Sequence, residues 1–385
     1  MSDRKKHLKD VRRIVVKVGS QVLAREGALS PESFDALSAQ LSALIKAGHQ
    51  VALVSSGAIA AGRFELGLKE RPRTIPLKQA SAAAGQAVVM REYSKRLADH
   101  SLKVAQILLT ADDLKNRRRF LNARNTLLTL FELGGVLPVI NENDTVAVEE
   151  IKFGDNDRLS AHVTNLIGAD LLVILSDIDG FYDADPNRVE GARRYEFIDQ
   201  LTQVHFRQAD TTKSDVGIGG MVSKLEAARM AALSGAATVI ACGFESDVLG
   251  RILAGENIGT FFAGGEGIGL RKHWIACSVE PTGDIIVDEG AVKALTGNGG
   301  SLLPSGIIEV LGDFGVGEAV RVKAVGGAEI ARGLVTYTSD DLREIAGHKT
   351  GEIEEILGYK YYDEVIHRDD MVITKGHQPV CDEDH

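Results

Sequence analysis

Long apolar runs recur through the first two thirds of the chain, and helical patterns fill most of the intervals between them. The runs begin at residues 13, 50, 104, 136, 170 and 237. Each is apolar along its whole length, which is expected when helices cover both faces of a parallel sheet. The alternation predicts a three-layer α/β domain with a mainly parallel sheet.

A second, smaller domain is predicted after a glycine-rich stretch at 264–272. Short strand-like runs follow at 284–290, 306–312, 318–327 and 329–339, with helices near 289–296 and 339–347. A chain of 385 residues also exceeds what one compact core usually supports. The predicted boundaries are 10–263 for the first domain, 264–274 for a linker, 275–365 for a β-rich domain and 366–385 for a C-terminal tail.

Charge and cysteine content limit the class of protein. The formal net charge is −10, so the chain as a whole is not a general binder of polyanions. Its three cysteines, Cys242, Cys277 and Cys381, are far apart, which fits a reducing compartment and no zinc spacing. The first residues lack an apolar signal core, and no run of 18 apolar residues occurs. We expect a cytoplasmic protein without a membrane partner.

Polar clusters follow the predicted strands directly. They are Lys17–Ser20, Ser55–Ala58, Asn141–Asp144 and Ser176–Asp177, and a further cluster at Gly154–Asp157 opens a helix. Open α/β sheets bind ligands at the carboxyl ends of their strands. The clusters therefore predict a ligand site at one edge of the sheet.

Missing motifs narrow the chemistry of that site. The chain has no G-x-x-x-x-G-K-[ST] loop and no H-E-x-x-H, and its first strand is not followed by G-x-G-x-x-G. Lys17 remains, together with GIGGMVSK at 217–224, whose glycines open a helix. Backbone N–H groups at a helix start suit phosphate, and two lysines from distant segments suit phosphoryl transfer.

Taken singly, each element also has an ordinary structural interpretation. Lys17 fits a solvated charge at a strand end, and Ser55–Gly57 fits a loose turn. Gly219–Gly220 fits a loop before a helix, and Asp155–Asp157 fits a helix cap. Their joint position at neighbouring strand ends favours a binding site.

The motifs resemble those of the glutamate 5-kinase family in its two-domain bacterial form. The matching stretches are VVKVGSQVL, VSSGAIAAG, RFLNARNTL, PVINENDTVA, EIKFGDNDRLSA, SDIDGFYDADP and GIGGMVSKLEAA, then VDEGA, SLLPSGI, IAGH and HRDDMV. The resemblance spans about residues 10–373. It implies an amino-acid kinase fold followed by a PUA domain, a small β-rich pseudo-barrel.

The family's reaction transfers phosphate from ATP to the side-chain carboxylate of L-glutamate, with Mg²⁺, and opens proline biosynthesis. By resemblance, the catalytic residues are Lys17, Asp157 and Lys224, and glutamate is bound by Ser56, Asp144 and Asn156. The implied nucleotide-binding residues are Lys17, Ser176, Asp177, Ile218, Gly219, Gly220, Met221, Val222, Ser223 and Lys224. No protein ligand for the metal is implied.

The chemistry of glutamate agrees with this division. Its ammonium group needs an acceptor, which Asp144 provides, and its carboxylates need donors, for which we expect the Ser56 hydroxyl and the Asn156 amide. The reacting carboxylate is ionised at neutral pH and needs no general base. Catalysis then consists of positioning and charge neutralisation by Lys17 and Lys224, with Asp157 orienting them.

Three positions depart from the family pattern. Ser55 and Ser176 stand where threonine is familiar, which keeps the hydroxyl. Ile218 stands where threonine or serine often precedes the two glycines, so a side-chain contact to phosphate is lost there.

The resemblance further implies inhibition by proline, a homo-oligomer and a transient contact with glutamate 5-semialdehyde dehydrogenase. RNA binding by the PUA domain is another expectation, although residues 275–365 show no aromatic and basic stripe. Two alternatives stay open. One is another carboxylate kinase, such as an acetylglutamate kinase or an aspartokinase; an acylated amine would not need Asp144. The other is an RNA-binding protein that acts through its second domain.

Overall fold

The computed structural model describes residues 3–25, 28–147, 156–186, 188–210, 220–265, 272, 275 and 279–374. The chain divides into two compact units, Met1–Gly267 and Ile268–His385. Each unit has a hydrophobic core of its own.

The first unit is built on a parallel sheet. Its strands are β1 (Arg13–Val18), β2 (Ala24–Arg25), β3 (Ala28–Leu29), β4 (Gln50–Ser55), β5 (Lys103–Leu109), β6 (Val136–Glu142), β7 (Leu171–Ser176), β8 (Phe197–Ile198), β9 (Ala237–Cys242) and β10 (Thr260–Phe262). Within the described ranges the main sheet has the order β5-β6-β4-β1-β7-β9-β10-β8, and β2 pairs with β3. Neighbours in the main sheet are parallel except β9 and β10. The predicted mainly parallel α/β fold is confirmed.

Helices flank this sheet. They are α1 (Asp3–Leu8), α2 (Ser20–Leu23), α3 (Pro31–Lys46), α4 (Ala58–Glu65), α5 (Ile75–Ala98), α6 (Ala111–Lys115), α7 (Arg117–Leu133), α8 (Asn156–Ile167), α9 (Gln203–Asp210), α10 (Met221–Leu233) and α11 (Val248–Leu253). The start of α3 follows from its sequence: Ser30 accepts a hydrogen bond from the Ser33 amide, and Pro31 occupies the first helical position.

The position of a strand in the sheet explains its composition. Central β7 is buried at every residue, and this burial on both faces explains its continuous apolar sequence. Edge strand β5 leaves Lys103, Gln106 and Leu108 exposed.

The sequence predicts neither β8 nor β10, because strands of two or three residues carry no readable period. It also predicts no element before residue 13, whereas α1 is anchored there by Arg4, which donates to the carbonyls of Ile258 and Gly259 at 2.7 and 2.8 Å.

Two glycines allow α4 and α5 to pack in backbone contact. A Cβ atom on Gly62 would lie 1.7 Å from the Ser81 carbonyl oxygen, and one on Gly85 would lie 1.8 Å from that of Ala58. Any side chain at either position would force the helices apart. This packing fixes α5 above the sheet and so fixes Gln86, the residue after Gly85.

The second unit contains a five-stranded sheet. Its strands are β11 (Gly283–Val287), β12 (Ile307–Leu311), β13 (Ala319–Ala324), β14 (Glu329–Leu334) and β15 (Met371–Ile373), in the order β12-β11-β13-β14-β15. Among the described strands of this sheet, only the β11–β13 pair is parallel. Its helices are α12 (Glu289–Asn298), α13 (Ser339–Ile345) and α14 (Ile353–Leu357). Strand β15 lies beyond residue 365, where the sequence predicts the start of a tail; a strand of three residues carries no readable period.

In the described part of the chain, no helix is both long and apolar enough to cross a membrane.

Candidate active site

Four neighbouring strands bring the polar clusters to one edge of the main sheet. Their order is β6-β4-β1-β7, and all three pairs are parallel. Lys17 is the last residue but one of β1, while Ser55 and Ser176 end β4 and β7. In register, Lys17 lies opposite Val54 of β4 and Ile174 of β7. The carboxyl ends of these strands therefore share one edge.

Asp157 joins two lysines from distant parts of the chain. Its side chain is fully buried at the start of α8. One carboxylate oxygen contacts Lys17 Nζ, and the other accepts a hydrogen bond from Lys224 Nζ at 3.1 Å. Both lysines are also buried, 6% and 5% exposed. The result is a buried cluster with two positive charges and one negative charge.

The protonation of Asp157 follows from these neighbours. Burial alone would raise the pKa of Asp157, but the charges and hydrogen bonds of Lys17 and Lys224 outweigh it and hold the pKa below its ordinary value. The carboxylate is therefore ionised at neutral pH.

Helices α8 and α10 are tied together beside this cluster. Ser223 Oγ donates at 3.0 Å to Asp157 Oδ2, the carboxylate oxygen that also accepts from Lys224. On the outer side, Arg158 pairs with Glu226 through two guanidinium nitrogens, at 3.0 and 2.9 Å. The N-terminal turns of the two helices are held against each other, so Lys224 is fixed relative to Asp157.

A second cluster consists of uncharged side chains. Asn156 Nδ2 lies 3.0 Å from Ser56 Oγ, 3.0 Å from Asn141 Oδ1 and 3.2 Å from the Ser55 carbonyl oxygen. Asn141 in turn donates to Gln86 Oε1 at 2.9 Å. Because Asn156 precedes Asp157 in α8, the two clusters are adjacent.

Ser55 supports this second cluster from below. Its hydroxyl lies 3.0 Å from Tyr93 Oη of α5. Burial raises the pKa of Tyr93, so its hydroxyl stays protonated. The turn at Ser56 is thereby held between β4 and α5.

The residues expected to bind nucleotide lie on β7 and α10. Ser176 donates to Asp177 Oδ1 at 2.9 Å, and its carbonyl accepts from the Gly243 amide at 2.8 Å. Gly220 precedes α10, whose first residues are Met221, Val222, Ser223 and Lys224. Ile218 and Gly219 lie outside the described residues.

The structure thus joins Lys17, Asp157, Ser223 and Lys224 in one contact set, and Ser56 with Asn156 in another. Asp144 is half-buried in the turn after β6. The contact between β6 and Asn156 runs through Asn141, three residues earlier.

Two participants are absent from the sequence-based set of site residues. Asn141 belongs to the same INEND segment as Asp144, at the end of the buried strand. Gln86 had a signal of its own: it occupies the stripe Ala82, Gln86, Val89, Tyr93, Leu97 on the buried face of α5. A glutamine at an apolar position of a helical stripe indicates a buried hydrogen bond.

This arrangement suits transfer of a phosphoryl group to a small polar acceptor. Two buried ammonium groups can neutralise charge on a moving phosphoryl group, where the low local polarity strengthens their effect. The adjacent hydroxyl and amide cluster can orient an acceptor molecule.

Comparison with known proteins gives the same family. The amino acid kinase family profile matches residues 12–242, and the PUA domain profile matches residues 283–357. The chain is 51% identical over 372 residues to the glutamate 5-kinase of Citrifermentans bemidjiense, covering 96% of this chain and all of the relative. It is 52% identical to that of Geobacter sulfurreducens and 49% to that of Caldanaerobacter subterraneus, covering 95% and 94% of this chain and 98% of each relative. The chain belongs to the glutamate 5-kinase family, as a kinase with an amino acid kinase domain followed by a PUA domain.

Proposed function

We propose that the chain transfers the γ-phosphoryl group of ATP to the side-chain carboxylate of L-glutamate. The product is L-glutamyl 5-phosphate, and the reaction is the first step of proline biosynthesis. The observation that carries this proposal is the buried contact of Asp157 with both Lys17 and Lys224. The names of the relatives, at about half identity over nearly the whole chain, support the substrate.

In this mechanism the protein supplies position and charge. The attacking oxygen belongs to a carboxylate that is ionised at neutral pH, so no residue removes a proton. Lys17 and Lys224 stabilise negative charge on the transferred group, and Asp157 holds both ammonium groups in place. The oxygen of glutamate forms a bond to phosphorus as the bond to the ADP oxygen breaks.

The nucleotide is expected to lie against Ser176, Asp177 and the start of α10 and to bind together with Mg²⁺. Among the residues that the structure describes, no group of three or more His, Cys, Asp or Glu side chains is arranged to hold a metal. Mg²⁺ generally keeps several waters and binds through nucleotide phosphates and one or two carboxylates, so such a group is not required. When bound, the ion would neutralise charge on the phosphates.

Glutamate is expected to lie against Ser56, Asn156 and Asp144. The hydroxyl and the amide of the first two residues meet at 3.0 Å beside Asp157. Asp144 supplies an acceptor for the ammonium group. Asp144 would favour L-glutamate over acetylglutamate, because L-glutamate has a free ammonium group whereas the amine of acetylglutamate is acylated.

The test is turnover with a panel of acidic amino acids, using the wild type and Lys224→Ala. The acyl phosphate decays, so ADP release and trapping as a hydroxamate are measured. We expect glutamate-dependent turnover that the variant loses. Turnover with acetylglutamate or aspartate instead would move the substrate, and no turnover at all would favour RNA binding, tested by salt-dependent retention of RNA on the full chain.

Further expectations concern regulation and partners. Proline competes with glutamate near the same site, and unchanged glutamate kinetics at high proline would contradict this. The chain forms a homo-oligomer in the cytoplasm, which light scattering tests. The labile product favours a transient contact with glutamate 5-semialdehyde dehydrogenase, tested by the effect of that enzyme on product loss.

A further inference from the structure

A chain of side-chain hydrogen bonds connects α5 to the substrate side of the site. It runs from Gln86 to Asn141 at 2.9 Å, from Asn141 to Asn156 at 3.0 Å and from Asn156 to Ser56 at 3.0 Å. Gln86 and Asn141 are buried, whereas Asn156 and Ser56 are half-buried. This chain of hydrogen bonds therefore begins inside the domain and ends at residues that solvent can reach.

One backbone atom determines the orientation of every side-chain amide in this chain of hydrogen bonds. The Ser55 carbonyl oxygen can only accept a hydrogen bond, and it lies 3.2 Å from the Asn156 amide. The Asn156 atom on that side must therefore be the donor Nδ2. Asn141 must then present its oxygen to Asn156, which turns its own Nδ2 toward Gln86 Oε1.

This direction decides which atoms a ligand can use. Asn156 Nδ2 has two hydrogens and three protein acceptors around it, so no N–H is left for a ligand. The polar atom of Asn156 that remains is its oxygen, an acceptor. Ser56 Oγ accepts from Asn156, so its own hydrogen can be donated. One acceptor and one donor side by side match the ammonium and carboxylate groups on the α-carbon of an amino acid.

We propose that Gln86 is a positioning residue of the amino-acid site, holding Asn141 and Asn156 so that the Asn156 oxygen faces the substrate ammonium group. The inference rests on the proposed function and deepens it. Without the Gln86 acceptor, the Asn141 amide has no partner on its inner side and can turn. The Asn156 amide then keeps its contact with the Ser55 carbonyl but loses the Asn141 oxygen as a fixed acceptor, so its side chain is held less firmly, although neither Lys17 nor Lys224 is disturbed.

The test compares Gln86→Met and Gln86→Leu with Gln86→Glu. The first two remove the acceptor, and both are made so that the result does not depend on one variant folding. Gln86→Glu keeps an oxygen toward Asn141. We expect the first two to raise the KM for L-glutamate about tenfold, the effect of one buried hydrogen bond, with the KM for ATP unchanged. Gln86→Glu should bring the KM for L-glutamate most of the way back.

A matched control comes from another buried amide. Asn165 is also buried in the first unit and accepts from Ser234 at 2.6 Å, within the other end of α8. Asn165→Leu should lower the melting temperature and leave both KM values unchanged. This control separates the general effect of losing a buried side-chain amide from the specific effect of losing Gln86.

Three results would overturn the inference. They are an unchanged KM for L-glutamate in a folded Gln86→Met or Gln86→Leu protein, an equal rise for L-glutamate and ATP, or a Gln86→Glu variant as impaired as the other two. Failure of the proposed function is seen separately, because it appears as absent glutamate turnover in the wild type.

Discussion

Asp157 Oδ2 accepts a hydrogen bond from Lys224 Nζ at 3.1 Å although the two residues are 67 positions apart. The same carboxylate contacts Lys17 through its other oxygen. A single buried anion thus sets the separation of the two cations that the proposed mechanism uses.

The first prediction concerns Asp157→Asn. The amide cannot balance two buried ammonium groups, so the lysines lose both their orientation and their counter-charge. We expect kcat to fall by about a hundredfold or more. The free energy of unfolding should fall by about 3–5 kcal/mol, as when one partner of a buried ion pair is removed. Steady-state kinetics and chemical denaturation measure the two effects.

Asp284→Asn is the matched control for that variant. Asp284, in the second unit, also holds two cations, Arg321 and Lys323 at 2.5 and 2.7 Å, but is partly exposed. Its loss should leave kcat within about twofold and cost about 1 kcal/mol or less, because water screens the pair. A similar loss of kcat in both variants would contradict the assigned role of Asp157.

The second prediction concerns pH. The pKa of Asp157 is held below its ordinary value, so the unfolded chain takes up a proton at higher pH than the folded one. The stabilisation from Asp157 is therefore complete above about pH 4 and is lost as the pH falls through the lower folded-state pKa. The difference in unfolding free energy between wild type and Asp157→Asn should be constant near neutrality and shrink in acid. A difference that grows as the pH falls would contradict this sign.

The third prediction concerns the packing of α4 on α5. In Gly85→Ala the new Cβ would lie 1.8 Å from a backbone oxygen of Ala58, which cannot rotate away. We expect the unfolding free energy to fall by about 3 kcal/mol or more. Because Gln86 moves with the helix, the KM for L-glutamate should rise as well. Thermal or chemical denaturation and substrate titration test this.

Gly297→Ala provides the comparison for Gly85→Ala. Gly297 lies in α12, where an added Cβ meets no other atom within 4 Å. Alanine favours helix over glycine, so stability should rise by about 0.5–1 kcal/mol. Equal destabilisation by the two substitutions would mean that close approach of the helices is not the cause.

The fourth prediction uses two analogues of L-glutamate as competitors. Glutarate lacks the ammonium group, and 4-aminobutyrate lacks the α-carboxylate. If Asn156 accepts from the ammonium group, Asn156→Ala should weaken L-glutamate and 4-aminobutyrate about tenfold and leave glutarate unchanged. Ser56→Ala should instead weaken L-glutamate and glutarate. Weaker glutarate inhibition in Asn156→Ala would show that Asn156 donates to a carboxylate.

Local patterns were sufficient for much of the fold. Helix α3 begins at Pro31 directly after its Ser30 cap, and both residues mark a helix start in the sequence itself. The predicted strands of the main sheet match β1, β4, β5, β6, β7 and β9 within about two residues. These elements follow from runs of neighbouring residues, where period and capping chemistry are visible along the chain. The short strands β8, β10 and β15 carry too few residues to show a period.

The sequence was also sufficient to propose the chemistry of the candidate site, because residue types such as Lys17, Asp157 and Asn156 are present in the chain before it folds. The directions of their bonds depend on tertiary structure. We expected the Asn156 amide to donate to a substrate carboxylate, but its N–H groups are directed at the Ser55 carbonyl and at Asn141 and Ser56. Gln86 reaches Asn141 from α5, a helix whose close packing against α4 requires glycine at two positions. Hydrogen bonds depend on angles between groups that are distant in sequence, and those angles exist only after the helices and strands have packed.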